Sequence, residues 1–376
     1  MKIALFGGSF NPVHNDHIKI ANALIEELSL DKLYIIPTFI APHKQNAEVL
    51  NGEHRFNMLK LAFEDNSKVE VSDYELRKGG ISYSYETVEH FKRTLNPTNL
   101  YFIVGSDMLD NFPTWKNPER ILELATLTAV QRRNGEFDDS LSIKRIDDLY
   151  GKAVKTVKVF GETVSSTKIR VYKKLGLPLG EFLPKKVEDY ILNNRLYLGD
   201  EFYNYISNAL PIKRKIHTAG VILTALSLAK KLGVDEKKAE LSALLHDIAK
   251  YESVENYPDF SISCDTPEDI VHQYLGEYIA RTRLNVVDEE ILNAIKYHTT
   301  GRENMTLLEM VVYVADLLEP SRKFSGVQEL REEIKKDFFK GFKICLEEIV
   351  EFLKSSNKAV YPLTLDALNY YKGEFL

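Results

Sequence analysis

The sequence predicts an α/β domain with a parallel sheet, followed by an all-α domain. In the first half, short apolar runs alternate with helical patterns, which is typical of a parallel sheet with helices on both faces. After about Asp200, long segments with a 3.6-residue period follow one another without a convincing strand pattern. The length of 376 residues agrees with two domains, which we place at residues 1–197 and 198–376.

The expected elements follow the apolar runs in chain order. Strands are predicted at Lys2–Phe6, Leu33–Pro37, Val69–Val71, Leu100–Val104, Leu127–Val130 and Thr156–Phe160. Helices of the first half are predicted, among others, at Asp16–Leu28, at Glu53–Glu64, from near Ser166, and at Lys185–Asn193. Helices of the second half are predicted at Ile212–Leu232, Asp235–Ala249, Glu268–Ala280, Asp288–Tyr297, Leu307–Leu318, Val327–Leu353 and Leu363–Lys372.

The composition limits the classes of function. Hydrophobic residues make up 44% and charged residues 28%, as in a globular protein with a buried core. The net charge of -6 argues against nucleic acid or a membrane surface as the main partner, and favours small-molecule substrates. Two cysteines without a CxxC pattern fit a reducing compartment. The apolar N-terminal run is too short for a signal peptide, so we expect a cytoplasmic protein.

A glycine-rich segment with two histidines follows the first predicted strand. Residues 6–17 read FGGSFNPVHNDH and lead into a helix. Glycines let the backbone approach a phosphate chain, and a helix N-terminus offers N–H groups to anions. His14 and His17 are three residues apart, so both can face charge that develops during nucleotidyl transfer. We therefore predict a nucleotide site at the carboxyl end of this strand, with His14 and His17 as catalytic residues.

This segment resembles the nucleotidyltransferase motif GG-[ST]-F-[DN]-P-x-H-x-x-H, and residues 1–197 resemble bacterial nicotinate-nucleotide adenylyltransferases. Further matching pieces are Pro42–Gln45, His54-Arg55, Ser82–Thr87, Val104–Asp107, Trp115 and Val164–Arg170. The resemblance implies a Rossmann-like fold. It also implies transfer of AMP from ATP, with Mg²⁺, to nicotinate mononucleotide, giving deamido-NAD and pyrophosphate without a covalent enzyme intermediate.

The resemblance also assigns residue roles. ATP would be bound by Gly7, Gly8, Ser9, Phe10, His14, His17, Gly105, Asp107, Ser165, Ser166, Thr167 and Arg170. Nicotinate mononucleotide would be bound by Lys44, Ser84 and Trp115, with the indole ring stacked on the nicotinate ring. Taken alone, Trp115 would be a core residue and Lys44 a surface charge. The family usually has glycine at the position of Asp16, whose carboxylate we expect to alter nucleotide affinity or the local backbone without abolishing activity.

Six residues of the second half can ligate a metal: His217, His246, Asp247, His272, His298 and Asp316. They lie in apolar helical runs, where an imidazole or a carboxylate is costly to bury unless it is paired or metal-bound. A lone buried histidine is usually a hydrogen-bonded core residue, but several in one domain favour a metal site. Mixed imidazole and carboxylate ligands suit iron, manganese, zinc or nickel. Six ligands exceed the need of one ion, so we predict two transition-metal ions, iron first and manganese second, with Asp247 as a catalytic residue.

The pattern H…HD…D resembles the HD-domain phosphohydrolase superfamily. Residues 205–355 are more closely similar to bacterial HD hydrolases of symmetric diadenosine tetraphosphate, through HTxGV, LxHDxAK, YHTxGR, MTLLE and YVADxxEP. The resemblance implies cleavage of diadenosine tetraphosphate to two ADP. Lys250, Arg302 and Arg322 are then candidates for phosphate contact, and each could equally be a surface charge.

Other readings of both halves stay open on the sequence alone. The second half could be another HD nucleotide phosphohydrolase or phosphodiesterase, or a non-catalytic domain that senses a nucleotide and regulates the first half. The first half could be a phosphopantetheine adenylyltransferase or another cytidylyl- or adenylyltransferase. The sequence does not decide the metal, whether the chain forms a homo-oligomer, or whether the two sites communicate.

Overall fold

The computed structural model describes residues 1–42, 49–133, 140–160 and 164–374, without the side chains of Asp107, Arg132, Arg133, Phe160 and Glu374. The chain forms two compact units. The first unit comprises Met1–Ile169 and Leu179–Leu196, and the second comprises Arg170–Pro178 and Tyr197–Leu376. No helix in the described ranges is both long enough and apolar enough to cross a membrane.

Six parallel strands form the sheet of the first unit. They are β1 (Lys2–Gly8), β2 (Lys32–Pro37), β3 (Val69–Val71), β4 (Asn99–Gly105), β5 (Thr126–Arg133) and β6 (Lys155–Phe160). Their order is β3-β2-β1-β4-β5-β6, with β1 paired to both β2 and β4. The order changes direction between β1 and β4, and at such a point the carboxyl edge of a parallel sheet opens a crevice for ligands. The predicted parallel sheet is confirmed.

Helices connect these strands and follow the last one. They are α1 (Asn15–Glu27), α2 (Gly52–Phe63), α3 (Tyr74–Lys78), α4 (Ser84–Leu95), α5 (Pro118–Leu124), α6 (Ser140–Tyr150), α7 (Ser166–Lys174) and α8 (Lys185–Asn193). Residues 3–6 of β1 are all buried, as expected for a central parallel strand that is covered on both faces. The sheet therefore holds the loop after β1 at a fixed place.

The second unit is helical, as predicted. Its helices are α9 (Glu201–Ala209), α10 (Ile212–Leu232), α11 (Glu236–Leu245), α12 (Glu268–Arg283), α13 (Glu289–Lys296), α14 (Leu307–Leu318), α15 (Val327–Lys336), α16 (Phe338–Ser355) and α17 (Pro362–Glu374). Nine of the 12 residues of α14 are buried, so this helix is apolar on most of its circumference and lies in the core.

Several predicted helix boundaries are wrong, and two of these errors concern the site. The predicted helix Asp235–Ala249 ends at Leu245, so His246 and Asp247 follow the helix instead of lying within it. The predicted helix Asp288–Tyr297 ends at Lys296, and His298 also lies beyond its helix. Val327–Leu353 is two helices, because the Asp337 side chain accepts the backbone N–H of Lys340 and starts a new one. Helix α9 was not predicted.

The segment Arg170–Pro178 counts with the second unit although it precedes part of the first. Its side chains Val171, Leu175 and Leu177 are buried in the same apolar core as Tyr203. The chain therefore passes between the units three times, after residues 169, 178 and 196.

Candidate functional site

The loop after β1 carries the first group of predicted residues. Phe10 has a φ of 44°, in the left-handed region that costs a residue other than glycine. Its buried ring packs edge-on against Phe6 and His17, with centroid distances of 5.5 and 4.9 Å. A Cβ at Gly8 would lie 3.0 Å from the Phe10 ring, so glycine makes room for this ring. A Cβ at Gly7 would meet no atom within 4 Å, which leaves open space beside the strand end.

His14 and His17 lie together at the start of α1. Their ring centroids are 3.7 Å apart, and His14 is 2% exposed. The backbone N–H of His14 donates to Nδ1 of His17 over 3.2 Å. Because Nδ1 accepts this bond, the neutral His17 ring carries its proton on Nε2. His17 therefore presents a hydrogen-bond donor of the kind that phosphate oxygens accept.

The N-terminus of α7 lies against the same loop. The Ser166 hydroxyl donates to the carbonyl oxygen of Pro12 over 2.8 Å, and the Ser165 hydroxyl accepts the backbone N–H of Lys168 over 3.1 Å. Thr167 follows in the first turn of the helix. The structure thus brings the two predicted phosphate-binding segments together at a helix N-terminus, where N–H groups favour anions.

The remaining predicted residues of this site are more dispersed. Gly105 ends β4, which neighbours β1, so it lies at the same edge of the sheet as Gly8. Trp115 packs edge-on against Phe102 with a centroid distance of 6.3 Å. The next residue, Lys116, places its Nζ 4.1 Å from the Tyr83 ring centre, so the Trp115 loop adjoins the start of α4.

The other four predicted residues of this site lie in different settings. Ser84 is the first residue of α4 and is partly exposed. Lys44 and the side chain of Asp107 lie outside the described residues. Arg170 counts with the second unit, and burial lowers the pKa of its guanidinium. The Arg170 side chain is partly exposed.

Arg55 supports the loop, and no role was assigned to it from the sequence. It is 1% exposed, and its guanidinium donates to three backbone carbonyl oxygens, those of Leu50, Ser9 and Thr38, over 2.7 to 2.8 Å. These bonds join the loop after β1 to the loop after β2. His54-Arg55 is one of the pieces that match the resembling family, but that match did not indicate which atoms Arg55 contacts.

Asp16 lies inward, at the position where the resembling family has glycine. It is 6% exposed, and its Oδ2 accepts the backbone N–H of Val164 over 2.7 Å. The Lys19 Nζ lies 3.7 Å from its Oδ1. The carboxylate therefore ties α1 to the residue that immediately precedes Ser165.

The six predicted metal ligands converge in the second unit as two groups. The first group consists of His217 Nε2, His246 Nε2, Asp247 Oδ2 and Asp316 Oδ1, with separations of 3.1 to 4.0 Å. The second consists of Asp247 Oδ1, His272 Nε2 and His298 Nε2, with separations of 3.2 to 3.7 Å. Asp247 belongs to both, because it offers one carboxylate oxygen to each.

These separations fit bound transition-metal ions. Two ligand atoms about 2.1 Å from one metal lie about 3.0 Å apart at a right angle and about 3.4 Å apart at a tetrahedral angle. Imidazole nitrogens with carboxylate oxygens are also the donors that iron, manganese and zinc accept. The residues present could therefore hold two ions that share the Asp247 carboxylate.

Helix ends orient two of the four histidines. His246 Nδ1–H donates to the carbonyl oxygen of Ala243 over 2.6 Å, and His298 Nδ1–H donates to that of Ile295 over 2.7 Å. These carbonyls lie in the last turns of α11 and α13, where they have no partner within the helix. Each bond leaves the Nε2 lone pair for a metal, which explains why these histidines follow their helices.

Glu319 performs the same task for His217, and no role was assigned to it from the sequence. His217 Nδ1–H donates to Glu319 Oε1 over 3.0 Å, in a carboxylate that is 1% exposed. A Cβ at Gly220 would lie 2.3 Å from Glu319 Oε2, so only glycine permits this approach. The HTxG spacing could have indicated a close contact at Gly220, but not its partner.

Hydrogen bonds and burial shift the pKa values of the site in opposite directions. Burial opposes a charged His217, but hydrogen bonds to Asp316 and Glu319 outweigh it and raise its pKa. Burial, together with the charges of His298 and Lys250, lowers the pKa of His272 to about 3. Burial favours the protonated forms of Asp247 and Asp316, yet their histidine neighbours keep both pKa values well below the ordinary range. Both carboxylates are therefore ionised at neutral pH.

The three predicted phosphate contacts lie in different settings. The Lys250 Nζ is 3.2 Å from His272 Nε2, at the second group. The Arg322 Nη2 is 2.5 Å from Asp316 Oδ1, at the first group. Arg302 instead forms a two-point ion pair with buried Glu309, over 2.7 and 3.0 Å. This pair gives Arg302 a structural role. From the sequence, a phosphate contact and a surface charge were equally open for this residue.

Comparisons with known proteins agree with the division of the chain into two kinds of domain. The Cytidylyltransferase-like family profile matches residues 5–171, and the HD domain profile matches residues 214–321. A relative from Mycoplasma genitalium, named "Probable nicotinate-nucleotide adenylyltransferase/Ap4A hydrolase", is 31% identical over 374 residues, covering 97% of both chains. The chain belongs to the nicotinate-nucleotide adenylyltransferase/Ap4A hydrolase family. The predicted pairing of the two domain types is confirmed.

Each half of the chain also has relatives of its own. "Probable nicotinate-nucleotide adenylyltransferase" from Clostridium acetobutylicum is 37% identical over 198 residues, which are 52% of this chain and 99% of the relative. A solved structure from the same organism, a "predicted HD superfamily hydrolase involved in NAD metabolism", is 34% identical, with a TM-score of 0.43, and covers 46% of this chain and 96% of its own. The HD domain implies binding of a divalent metal, in agreement with the two ligand groups.

Proposed function

We propose that this chain carries out two reactions of nucleotide metabolism. Residues 1–197 transfer AMP from ATP to nicotinate mononucleotide, giving deamido-NAD and pyrophosphate. Residues 198–376 hydrolyse diadenosine tetraphosphate to two ADP. The observation that carries the second activity is the Asp247 carboxylate shared by two ligand groups. The observation that carries the first is the histidine pair beside the N-terminus of α7.

The transfer reaction requires positioning and charge stabilisation. A phosphate oxygen of nicotinate mononucleotide attacks the α-phosphorus of ATP, and the bond from this phosphorus to pyrophosphate breaks. His17 Nε2–H donates to the phosphate oxygens on which charge develops, with His14 beside it. Ser165, Ser166 and Thr167 hold the polyphosphate at the start of α7. Lys44, Ser84 and Trp115 hold the acceptor nucleotide.

The hydrolysis reaction takes place at the two ligand groups. Bound metal ions supply Lewis-acid activation of a water molecule and neutralise the charge of the phosphate chain. The four histidines and Asp316 would hold these ions, and Asp247 would offer one carboxylate oxygen to each group. Lys250 and Arg322 contact the phosphates. Attack of water on an inner phosphorus breaks the central P–O–P bridge, so both products are ADP.

The proposed metals follow from the ligand chemistry. Imidazole and carboxylate donors suit iron, manganese, zinc or nickel, of which we propose iron first and manganese second. Mg²⁺ accompanies ATP in the first reaction, because it neutralises the triphosphate. The substrates are small molecules in both cases.

Product analysis tests both activities on the full-length chain. ATP with nicotinate mononucleotide should give deamido-NAD, and an absence of this product would refute the first assignment. Diadenosine tetraphosphate with manganese or iron should give ADP alone. Formation of AMP with ATP, or no turnover, would instead favour another HD phosphohydrolase or a nucleotide-sensing domain.

Asp16→Ala is expected to raise the KM for ATP about tenfold, because the Val164 N–H loses its acceptor and the segment before Ser165 loses its tie to α1. Asp16→Asn keeps an acceptor oxygen in place and should stay within about twofold of wild type. Steady-state assays of deamido-NAD formation compare the two variants. Equal impairment of both would show that the charge matters, and not the hydrogen bond.

Metal binding is expected to depend more strongly on pH at the first ligand group than at the second. His217 has a raised pKa, so below that pKa a metal must displace a proton from it, and affinity should fall about tenfold per pH unit. His272 has a pKa of about 3 and stays neutral, so it opposes no metal between pH 6 and 8. Calorimetric titration with Mn²⁺ at pH 6, 7 and 8 should show a stronger dependence on pH at the first group than at the second. Parallel weakening of both sites would contradict this assignment.

A further inference from the structure

Arg214 lies at the first ligand group, on the same helix as His217 and three residues before it. Its Nη1 is 2.6 Å from Asp247 Oδ2, and its side chain is 22% exposed. This oxygen is the same one that faces His217 Nε2 and His246 Nε2. Arg214 is therefore in contact with an atom of the metal site, although no role was assigned to it from the sequence.

The two arginines at this group are arranged alike. Arg214 pairs with Asp247 Oδ2, and Arg322 pairs with Asp316 Oδ1 over 2.5 Å. These oxygens are the two carboxylate ligands of the first group. Two guanidinium charges thus neutralise the oxygens that a divalent cation would neutralise when bound.

A bound metal would weaken the ion pairs that both arginines form with the carboxylates. An ion ligated by Asp247 Oδ2 would stand within about 5 Å of the Arg214 guanidinium, where like charges repel strongly. The guanidinium and the ion therefore compete for one carboxylate. A guanidinium released from it has a planar fork of N–H donors that matches phosphate oxygens, and the metals hold phosphate at this place.

Arg214 also has donors to spare, unlike the structural arginines of the unit. Within the ranges that the structure describes, its guanidinium makes one hydrogen bond, the one to Asp247. Arg302 is held at two points by Glu309, and Arg331 donates to three backbone carbonyls. Arg214 therefore has donors left for a second partner, whereas the other two are held at several points.

We propose that Arg214 is a phosphate-binding residue of the second unit. It holds Asp247 while the first group lacks a metal, and it transfers to the polyphosphate chain of the substrate once the metal binds. The proposal rests on the hydrolase activity proposed above and names a polyphosphate chain as the feature that the site recognises.

Two measurements on Arg214→Met in the full-length chain test this exchange. Manganese affinity at the first group, measured by calorimetry without substrate, should rise at least tenfold, because the competing charge is gone. The inhibition constant of inorganic tripolyphosphate against diadenosine tetraphosphate hydrolysis should rise at least tenfold, because the phosphate contact is lost. A residue that only braces the fold would weaken both metal and phosphate binding together.

Two further variants serve as controls. Lys213→Met removes the same charge from the neighbouring, exposed position of α10 and should change neither constant by more than twofold. Arg214→Lys keeps the charge without the fork, so manganese affinity should stay near wild type while tripolyphosphate binds more weakly.

The results separate this proposal from the proposed hydrolase activity. Unchanged manganese and tripolyphosphate affinities in Arg214→Met, or a loss of both, would overturn the role of Arg214. Wild-type protein that binds manganese but does not cleave diadenosine tetraphosphate would refute the hydrolase assignment. The manganese measurement would still decide whether Arg214 competes with the metal.

Discussion

Asp247→Ala is expected to lower kcat/KM for diadenosine tetraphosphate hydrolysis by at least about a thousandfold, because this one carboxylate serves both ligand groups. Loss of Oδ2 removes a ligand from the first group, and loss of Oδ1 removes one from the second. Metal content after dialysis should fall from two ions to less than one per chain. Elemental analysis together with ADP release measures both effects.

The same variant contains its own control. Asp247 belongs to the second unit, so deamido-NAD formation by Asp247→Ala should equal that of the wild type. Asp316→Ala is a matched comparison. Among the described ligands, Asp316 lies near those of the first group only, so this variant should keep one ion bound. Full hydrolysis by Asp247→Ala would exclude metal catalysis at this site, and two retained ions would exclude the shared carboxylate.

His17→Ala is expected to lower kcat for deamido-NAD formation by about 100- to 1000-fold, because it removes a hydrogen-bond donor to the phosphates of the transition state. The KM for ATP should change by less than the kcat, since His17 acts on charge that develops only during the reaction. Steady-state kinetics over a range of ATP concentrations separates the two constants.

A second histidine of the same unit provides the control for this variant. His90 stacks on the Tyr74 ring at 3.9 Å, in the middle of α4, and His90→Ala should leave kcat within about twofold. Hydrolysis of diadenosine tetraphosphate should be unaffected in both variants. A loss of ATP affinity in His17→Ala with unchanged kcat would assign His17 to substrate binding alone.

The strands, and with them the overall architecture, could be predicted because each strand is a short apolar run. β1 is buried on both faces and reads as continuous apolar sequence, so its position and its following glycines were visible at once. Apart from α9, the helices of the second unit were visible through their period, which continues across Asp337 and therefore hides the break there. Helix periodicity reports which residues face the core, and it does not report where a helix stops.

The ligands were predictable, but their supports were not. His217 and Asp247 were visible as costly groups in apolar runs, whereas their partners Glu319 and Arg214 look like ordinary charges in the sequence. Arg55 is a similar case, since its three acceptors are backbone atoms in separate loops. Contacts of this kind depend on the folded chain and leave no local pattern.

The three passages of the chain between the units have a practical consequence for dividing the gene. A polypeptide that stops at residue 197 would carry Val171, Leu175 and Leu177 away from the core in which they are buried. A polypeptide that starts at residue 198 would lack the same three side chains and would leave a gap beside Tyr203 and Leu210. Separation at residue 197 would therefore expose apolar side chains that the intact chain buries.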